Sequence, residues 1–172
     1  MKFFSGFALK NEASLFSHLL KEWENNPYVV AGFSYGAIEA FEYTLKNDRR
    51  IDRLILLSPA WFLDKDRAFV RTQLIHFKKD PQTYLDTFFQ NAVQPADIDL
   101  NRFRADGSAE ALQKLLTYPW DERALKSLQK RGIKLQIFLG AKDRVIDAKK
   151  AHDYFKSFGE SWLFKAWGHF LQ

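Results

Sequence analysis

Three residues of this 172-residue chain have the types, and the order, that nucleophilic catalysis at a serine needs: Ser34, Asp143 and His169. Ser34 is the centre of Gly32-Phe33-Ser34-Tyr35-Gly36, a G-x-S-x-G pattern between an apolar run and a helical one. In a sharp strand-to-helix turn the serine backbone is strained, and the residues two before and two after must be small for strand and helix to approach. The turn would expose the Ser34 hydroxyl and put the Tyr35 N–H at a helix start, where it can stabilise an oxyanion. The plainer reading of the same five residues is a glycine-rich tight turn.

A serine hydroxyl needs a base. Of the four histidines, His18 and His76 fall inside helical patterns, and His152 lies in a helix leading away from the carboxyl edge of the preceding strand. His169 follows Gly168 just after the last apolar segment, where a loop can return it over that edge. The carboxylate that would orient it is Asp143 in "FLGAKDRVIDA", whose plainer role is a turn residue. Asp147 is the better helix cap, and Asp64 or Asp66 is the fallback acid. A second oxyanion donor is expected in "FFSGFALKNE", at the N–H of Phe7 or else Gly6.

The elements that must position these groups alternate. Residues 2–7 read as a short strand and turn, 12–24 as an amphipathic helix carrying Leu15, Phe16, Leu19, Leu20 and Trp23 on one side. Strands follow at 28–33, 53–59 (stopped by Pro59), 134–140 and 161–167, with helices at 36–47 and 147–157. Alternation of this kind predicts an α/β fold with a mainly parallel sheet. Residues 61–131 carry helical patterns only, punctuated by Pro81, Pro95, Gly107 and Pro119, and read as a helical lid inserted in a single domain spanning 1–172. An insertion after a strand's carboxyl end lies over the edge where open α/β sheets bind ligands.

Hydrophobic residues make up 47% and charged residues 27%, and 17 Phe with 5 Trp predict an aromatic core or groove. The absence of cysteine excludes disulfides, thiolate metal sites and a cysteine nucleophile. No metal-ligand spacing or cofactor motif stands out. The net charge of +5 favours an acidic partner, but the basic residues are spread along the chain without a nucleic-acid motif. "MKFFSGFALKNEAS" begins like a secretion signal, yet Lys10, Asn11 and Glu12 follow at once with no small-x-small site, so a cytoplasmic address is expected. No segment reaches the ~20 apolar residues of a membrane span. In the first lid segment Arg67, Arg71 and Lys78 share a helical stripe, either a solvated face or a docking surface.

These motifs resemble the α/β-hydrolase superfamily, whose order of nucleophile, acid and base matches Ser34, Asp143 and His169. More narrowly, "FFSGF", "AGFSYGAIEAFEY", "LLSPAW", "FLGAKDRV" and "WGHFLQ" resemble the BioV-type pimeloyl-acyl-carrier-protein methyl ester esterases of biotin synthesis. The resemblance implies a minimal hydrolase fold, hydrolysis of the methyl ester on a pimeloyl chain held by an acyl-carrier protein, and no cofactor; the docking reading of the Arg67, Arg71 and Lys78 stripe is that it receives this acidic carrier. The alternatives are a thioesterase or general short-chain carboxylesterase using the same triad, or a non-catalytic binding module on a hydrolase scaffold. The chain departs from larger hydrolases in having one helix where a helix, a strand and a helix precede the nucleophile strand, and in ending three residues after His169. Same-handed crossovers would then place the helices on one face and leave the other thinly covered, open to a second subunit in a homodimer.

Overall fold

Five apolar runs become strands in the computed structural model, which describes all 172 residues: β1 (Lys2–Phe4), β2 (Val29–Phe33), β3 (Arg53–Leu57), β4 (Lys134–Gly140) and β5 (Glu160–Phe164). All are parallel, in the order β1-β2-β3-β4-β5. Every residue of β2 is buried, as a central strand covered on both faces must be. β1 stops short of the expected 2–7 because the Gly6 N–H turns from the sheet to the Glu12 side chain. β5 stops short of 161–167 because the Phe164 and Trp167 carbonyls accept from Ala141 and Lys142 as the chain turns.

The two faces of the sheet are covered unequally. On β4, Leu135, Ile137 and Leu139 are buried, while Gln136 and Phe138 between them are half-buried. The buried set faces α2 (Tyr35–Lys46) and α7 (Ala148–Phe155); His152 of α7 lies 2.9 Å from Ser161, the β5 partner of Ile137. On the opposite face Phe138 stacks on Trp162 at 4.8 Å and Phe164 on Trp167 at 4.0 Å, and Trp162 stays 37% exposed.

The expected single helix over 12–24 is instead a 3-10 turn (Glu12–Phe16), one α turn α1 (Ser17–Leu20) and a second 3-10 turn (Lys21–Trp23). The breaks fall at Phe16 and Leu20, whose φ values of −106° and −108° bend the chain so that both side chains stay buried. This segment also departs from the same-hand expectation. Gly32 faces α2, since a Cβ there would strike Gly36 and Ala37, whereas its neighbour Phe33 packs on Phe16 at 4.7 Å. The β1–β2 and β2–β3 connections step the same way across the sheet on opposite faces, so their hands are opposite. The right-handed rule comes from a regular helix packing back on the sheet, and a connection built of single turns is not bound by it.

Between β3 and β4 run α3 (Arg67–Lys79), α4 (Pro81–Val93), α5 (Ala109–Thr117) and α6 (Glu122–Lys130). Each starts after a residue whose side chain accepts an N–H of the first turn: Asp66, Asp80, Ser108 and Asp121. α3 packs on α4 and α5, whereas α6 returns to pack on β4. No helix is long and apolar enough to cross a membrane.

Candidate active site

The turn from β2 into α2 has the strain and the crowding that the five-residue motif predicts. Ser34 has φ 53° and ψ −111°, a conformation that costs on the order of 1–3 kcal/mol for a residue with a Cβ. A Cβ on Gly32 would enter the backbone of Gly36, and one on Gly36 would enter the carbonyls of Phe4 and Ser5 at the end of β1. Ser34 is held on both sides, by its N–H to the Leu57 carbonyl at 2.9 Å and by its carbonyl, which accepts from Ala60 at 3.2 Å.

His169 and Asp143 converge on this serine. His169 Nε2 lies 3.0 Å from Ser34 Oγ, and His169 Nδ1 lies 2.6 Å from Asp143 Oδ2. Ser34 and His169 are 2% and 1% exposed, and the Asp143 side chain is fully buried. In the chain Asp143–His169–Ser34, Nδ1–H donates to the carboxylate, leaving Nε2 as the acceptor for the hydroxyl proton. Asp143 takes both roles weighed for it. Its Oδ1 accepts from the N–H groups of Val145 (2.7 Å) and Ile146 (3.1 Å) as a turn residue, while Oδ2 holds the imidazole.

The remaining candidates are engaged elsewhere. His18 Nε2 lies 3.0 Å from the Leu171 carbonyl, His152 is with Ser161, and His76 is exposed on α3. Asp64 pairs with Lys65 and Lys150, and Asp66 and Asp147 cap α3 and α7.

Two backbone N–H groups have no acceptor in the protein: that of Tyr35, next to the serine at the start of α2, and that of Phe7, in the loop after β1. The Gly6 N–H, the other candidate of that loop, donates to Glu12 Oε1 at 2.7 Å. The loop lies against the turn, since a Cβ on Gly6 would press on the Phe33 ring.

A residue that local patterns did not single out also bears on the site. Ser58, fully buried with φ 40°, donates from Oγ to the His169 carbonyl at 2.7 Å and from its N–H to Phe138. Its only local signal is its place at the carboxyl end of β3 before Pro59.

A chamber of about 740 Å³ opens among α3, α4 and α5, bounded by Phe62, Phe69, Tyr84, Phe88 and Leu116. Arg144 and Val145, just after Asp143, complete its wall; Ser34 is not on it. The Phe7 ring lies 6.0 Å from Phe77 and 5.9 Å from Phe88, which is on the chamber wall. Burial pushes the Tyr84 hydroxyl up to about 12, so it remains a neutral donor, to Gln73 at 2.9 Å. A second groove of about 530 Å³ runs along the outer side of α3. Arg67, Arg71 and Lys78 line it together with Leu63, Val70 and Ile75. None of the three cations forms an ion pair, although Lys78 helps hold the Glu110 carboxyl low after that group's own hydrogen bonds to backbone and Ser108. No cluster of side chains in the protein could hold a metal ion.

The chain matches the model of the family described as "Serine aminopeptidase, S33" over residues 8–165. No curated protein sequence matches it. Among solved structures it is similar to an esterase from Exiguobacterium antarcticum, at 19% identity and a TM-score of 0.63, covering 91% of this chain but 65% of that one. A lipase-esterase related protein from Clostridium acetobutylicum shares 14% identity with a TM-score of 0.65, covering 98% of this chain and 86% of that one. MenH from S. aureus shares 15% identity with a TM-score of 0.58, covering 97% and 85%. At these identities the structural likeness is one of fold. The chain belongs to the serine aminopeptidase S33 family, a family of serine hydrolases with the α/β-hydrolase fold.

Proposed function

We propose that this protein is a serine carboxylesterase that removes the methyl ester from pimeloyl-acyl-carrier-protein methyl ester, releasing methanol and the free ω-carboxylate. The observation that carries this reading is the buried line from Asp143 through His169 to Ser34, at 2.6 and 3.0 Å. Ser34 Oγ attacks the ester carbonyl as its proton passes to His169 Nε2. The developing oxyanion is met by the Tyr35 and Phe7 N–H groups. The protonated imidazole, held by Asp143, then gives its proton to the departing methoxide. Water, deprotonated by the same nitrogen, cleaves the acyl-enzyme and restores the serine.

The carrier-linked substrate is favoured by the groove along α3. Exposed Arg67, Arg71 and Lys78 beside exposed Leu63 and Ile75 offer an acidic protein both charge and apolar contact, and the groove adjoins the chamber at Phe62 and Lys65. Such charges speed encounter and set orientation more than they tighten a complex.

The test is incubation of the protein with methyl-pimeloyl-carrier protein, followed by the mass of the carrier. Loss of the methyl group with wild-type protein, and none with Ser34→Ala, is the expected result. Release of the whole acyl chain, leaving the bare carrier thiol, would mean a thioesterase. Cleavage confined to an aminoacyl anilide would mean the peptidase activity that the family's description names. No turnover of any of these, and no labelling of Ser34 by a fluorophosphonate, would leave a binding module.

A further inference from the structure

Five polar or charged residues are buried: Glu12, Ser34, Thr44, Ser58 and His169. Thr44 bonds within its own helix, to Ala40, and Ser34, Ser58 and His169 belong to the site. Glu12 is left, a carboxyl with no exposed surface and no cation paired to it. A group of this kind is retained at a cost, because burial removes its hydration.

Its single contact explains where it is. Glu12 Oε1 accepts the Gly6 N–H at 2.7 Å, and Oε2 has no partner. The loop from Ser5 to Asn11 has little else of its own to hold its shape. Ala8 and Asn11 sit at φ 53° and 58°, which residues with a Cβ adopt at a cost, and the one backbone bond within the loop runs from Leu9 to Gly6. The other bonds are to the lid: the Lys10 N–H to Phe103 and the Ala105 N–H to the Ala8 carbonyl. The Ser5–Gly6 peptide, whose N–H is that of Gly6, is thus the point at which Glu12 braces the loop, one peptide before the Phe7 N–H.

We infer that Glu12 is a positioning residue for the oxyanion hole: by occupying the Gly6 N–H, it fixes the next peptide so that the Phe7 N–H stays free and aimed at the acyl oxygen of the substrate. This rests on the esterase reading above. Without the brace, the Gly6 and Phe7 N–H groups compete for the oxyanion, and the loop relaxes away from the strained φ values. The loss falls on the transition state, where the oxyanion exists, and not on the bound ester.

The test uses the full chain and a small aryl ester, p-nitrophenyl acetate, with an arylboronic acid as a transition-state analogue. Outright deletion of an oxyanion donor costs about 10²–10³ in kcat, and misplacing one should cost on the order of tenfold to a hundredfold. Glu12→Ala is expected to lower kcat by that factor with KM within about twofold, and to weaken boronate inhibition in parallel. Glu12→Asp, which keeps the carboxyl group but withdraws the oxygen by one methylene, should behave like Glu12→Ala. Glu12→Gln should recover most of the loss, since its amide oxygen can accept the same N–H. If Glu12→Ala does not fold, the Asp and Gln variants decide. A kcat unchanged in Glu12→Asp, a loss confined to KM, or a Gln variant as impaired as the Asp variant overturns the inference while leaving the esterase reading intact. A Ser34→Ala variant as active as wild type would overturn both.

Discussion

The carboxyl edge of the sheet and the outer side of α3 both carry polar residues, and they treat them in opposite ways. At the edge, Ser34, His169 and the Asp143 side chain are buried, each polar atom has a partner, and the backbone is strained at Ser34 and Ser58. On α3, Arg67, Arg71 and Lys78 are exposed, ordinary in backbone and outside any ion pair, while nearby Lys65 and Lys150 share Asp64. Groups held in advance can stabilise a transition state without reorganising, as chemistry requires. Cations left hydrated can act at a distance on a charged partner and are weakened by salt, as encounter requires. Substitutions in the first region should therefore act on kcat, and those in the second on KM for a large partner alone.

The largest expected effect is at the edge. Ser34→Ala or His169→Ala should lower kcat by roughly 10⁵-fold or more with the melting temperature little changed, because nucleophile and base act as one unit. His152→Ala, on the covered side of the sheet, should be nearly silent. Steady-state kinetics on a small ester checks all three, and a severe His152 effect with a mild His169 effect would reverse the assignment.

Asp143→Asn comes next, with a loss of about 10⁴-fold. An Asn Oδ1 can still accept from Val145 and Ile146, so the turn survives while the hold on the imidazole is lost. Circular dichroism should match wild type.

The comparison is sharpened by reversing charge on α3. Arg67→Glu with Arg71→Glu should raise KM for the carrier-linked ester by about tenfold at low salt and less at high salt. Turnover of a free methyl ester should hold. Equal losses on both substrates would mean that the arginines support the lid fold instead.

The smallest effect concerns the α3–α4 junction. Hydrogen bonds from the Thr83 N–H and hydroxyl hold the Asp80 carboxyl below its usual range. A pKa lowered by folding stabilises the folded state above the unfolded value of about 3.9, and that contribution is lost as pH falls through the lowered one. Amide exchange in the first turn of α4 should therefore quicken in that acid window. Asp80→Asn, which keeps a cap without the charge, should remove the dependence.

What could be read along the chain was whatever is written locally. The apolar runs became all five strands, and Asp147 became the cap of α7, because backbone periodicity and end capping involve neighbours within a turn. Ser34, Asp143 and His169 could be chosen because each sits where a strand ends, and parallel strands all end on one edge. The segment 12–24 misled, since its spacing of Leu15, Phe16, Leu19 and Leu20 is helical while tertiary packing bends the chain at Phe16 and Leu20. Glu12 and Ser58 were silent for the same reason. A glutamate in a polar stretch and a serine before a proline mean nothing until the Gly6 N–H and the His169 carbonyl are brought to them, and those approaches are made by the folded chain alone. Local residue types settled which groups could react, but how those groups are held together depended on contacts between segments as far apart as 135 residues.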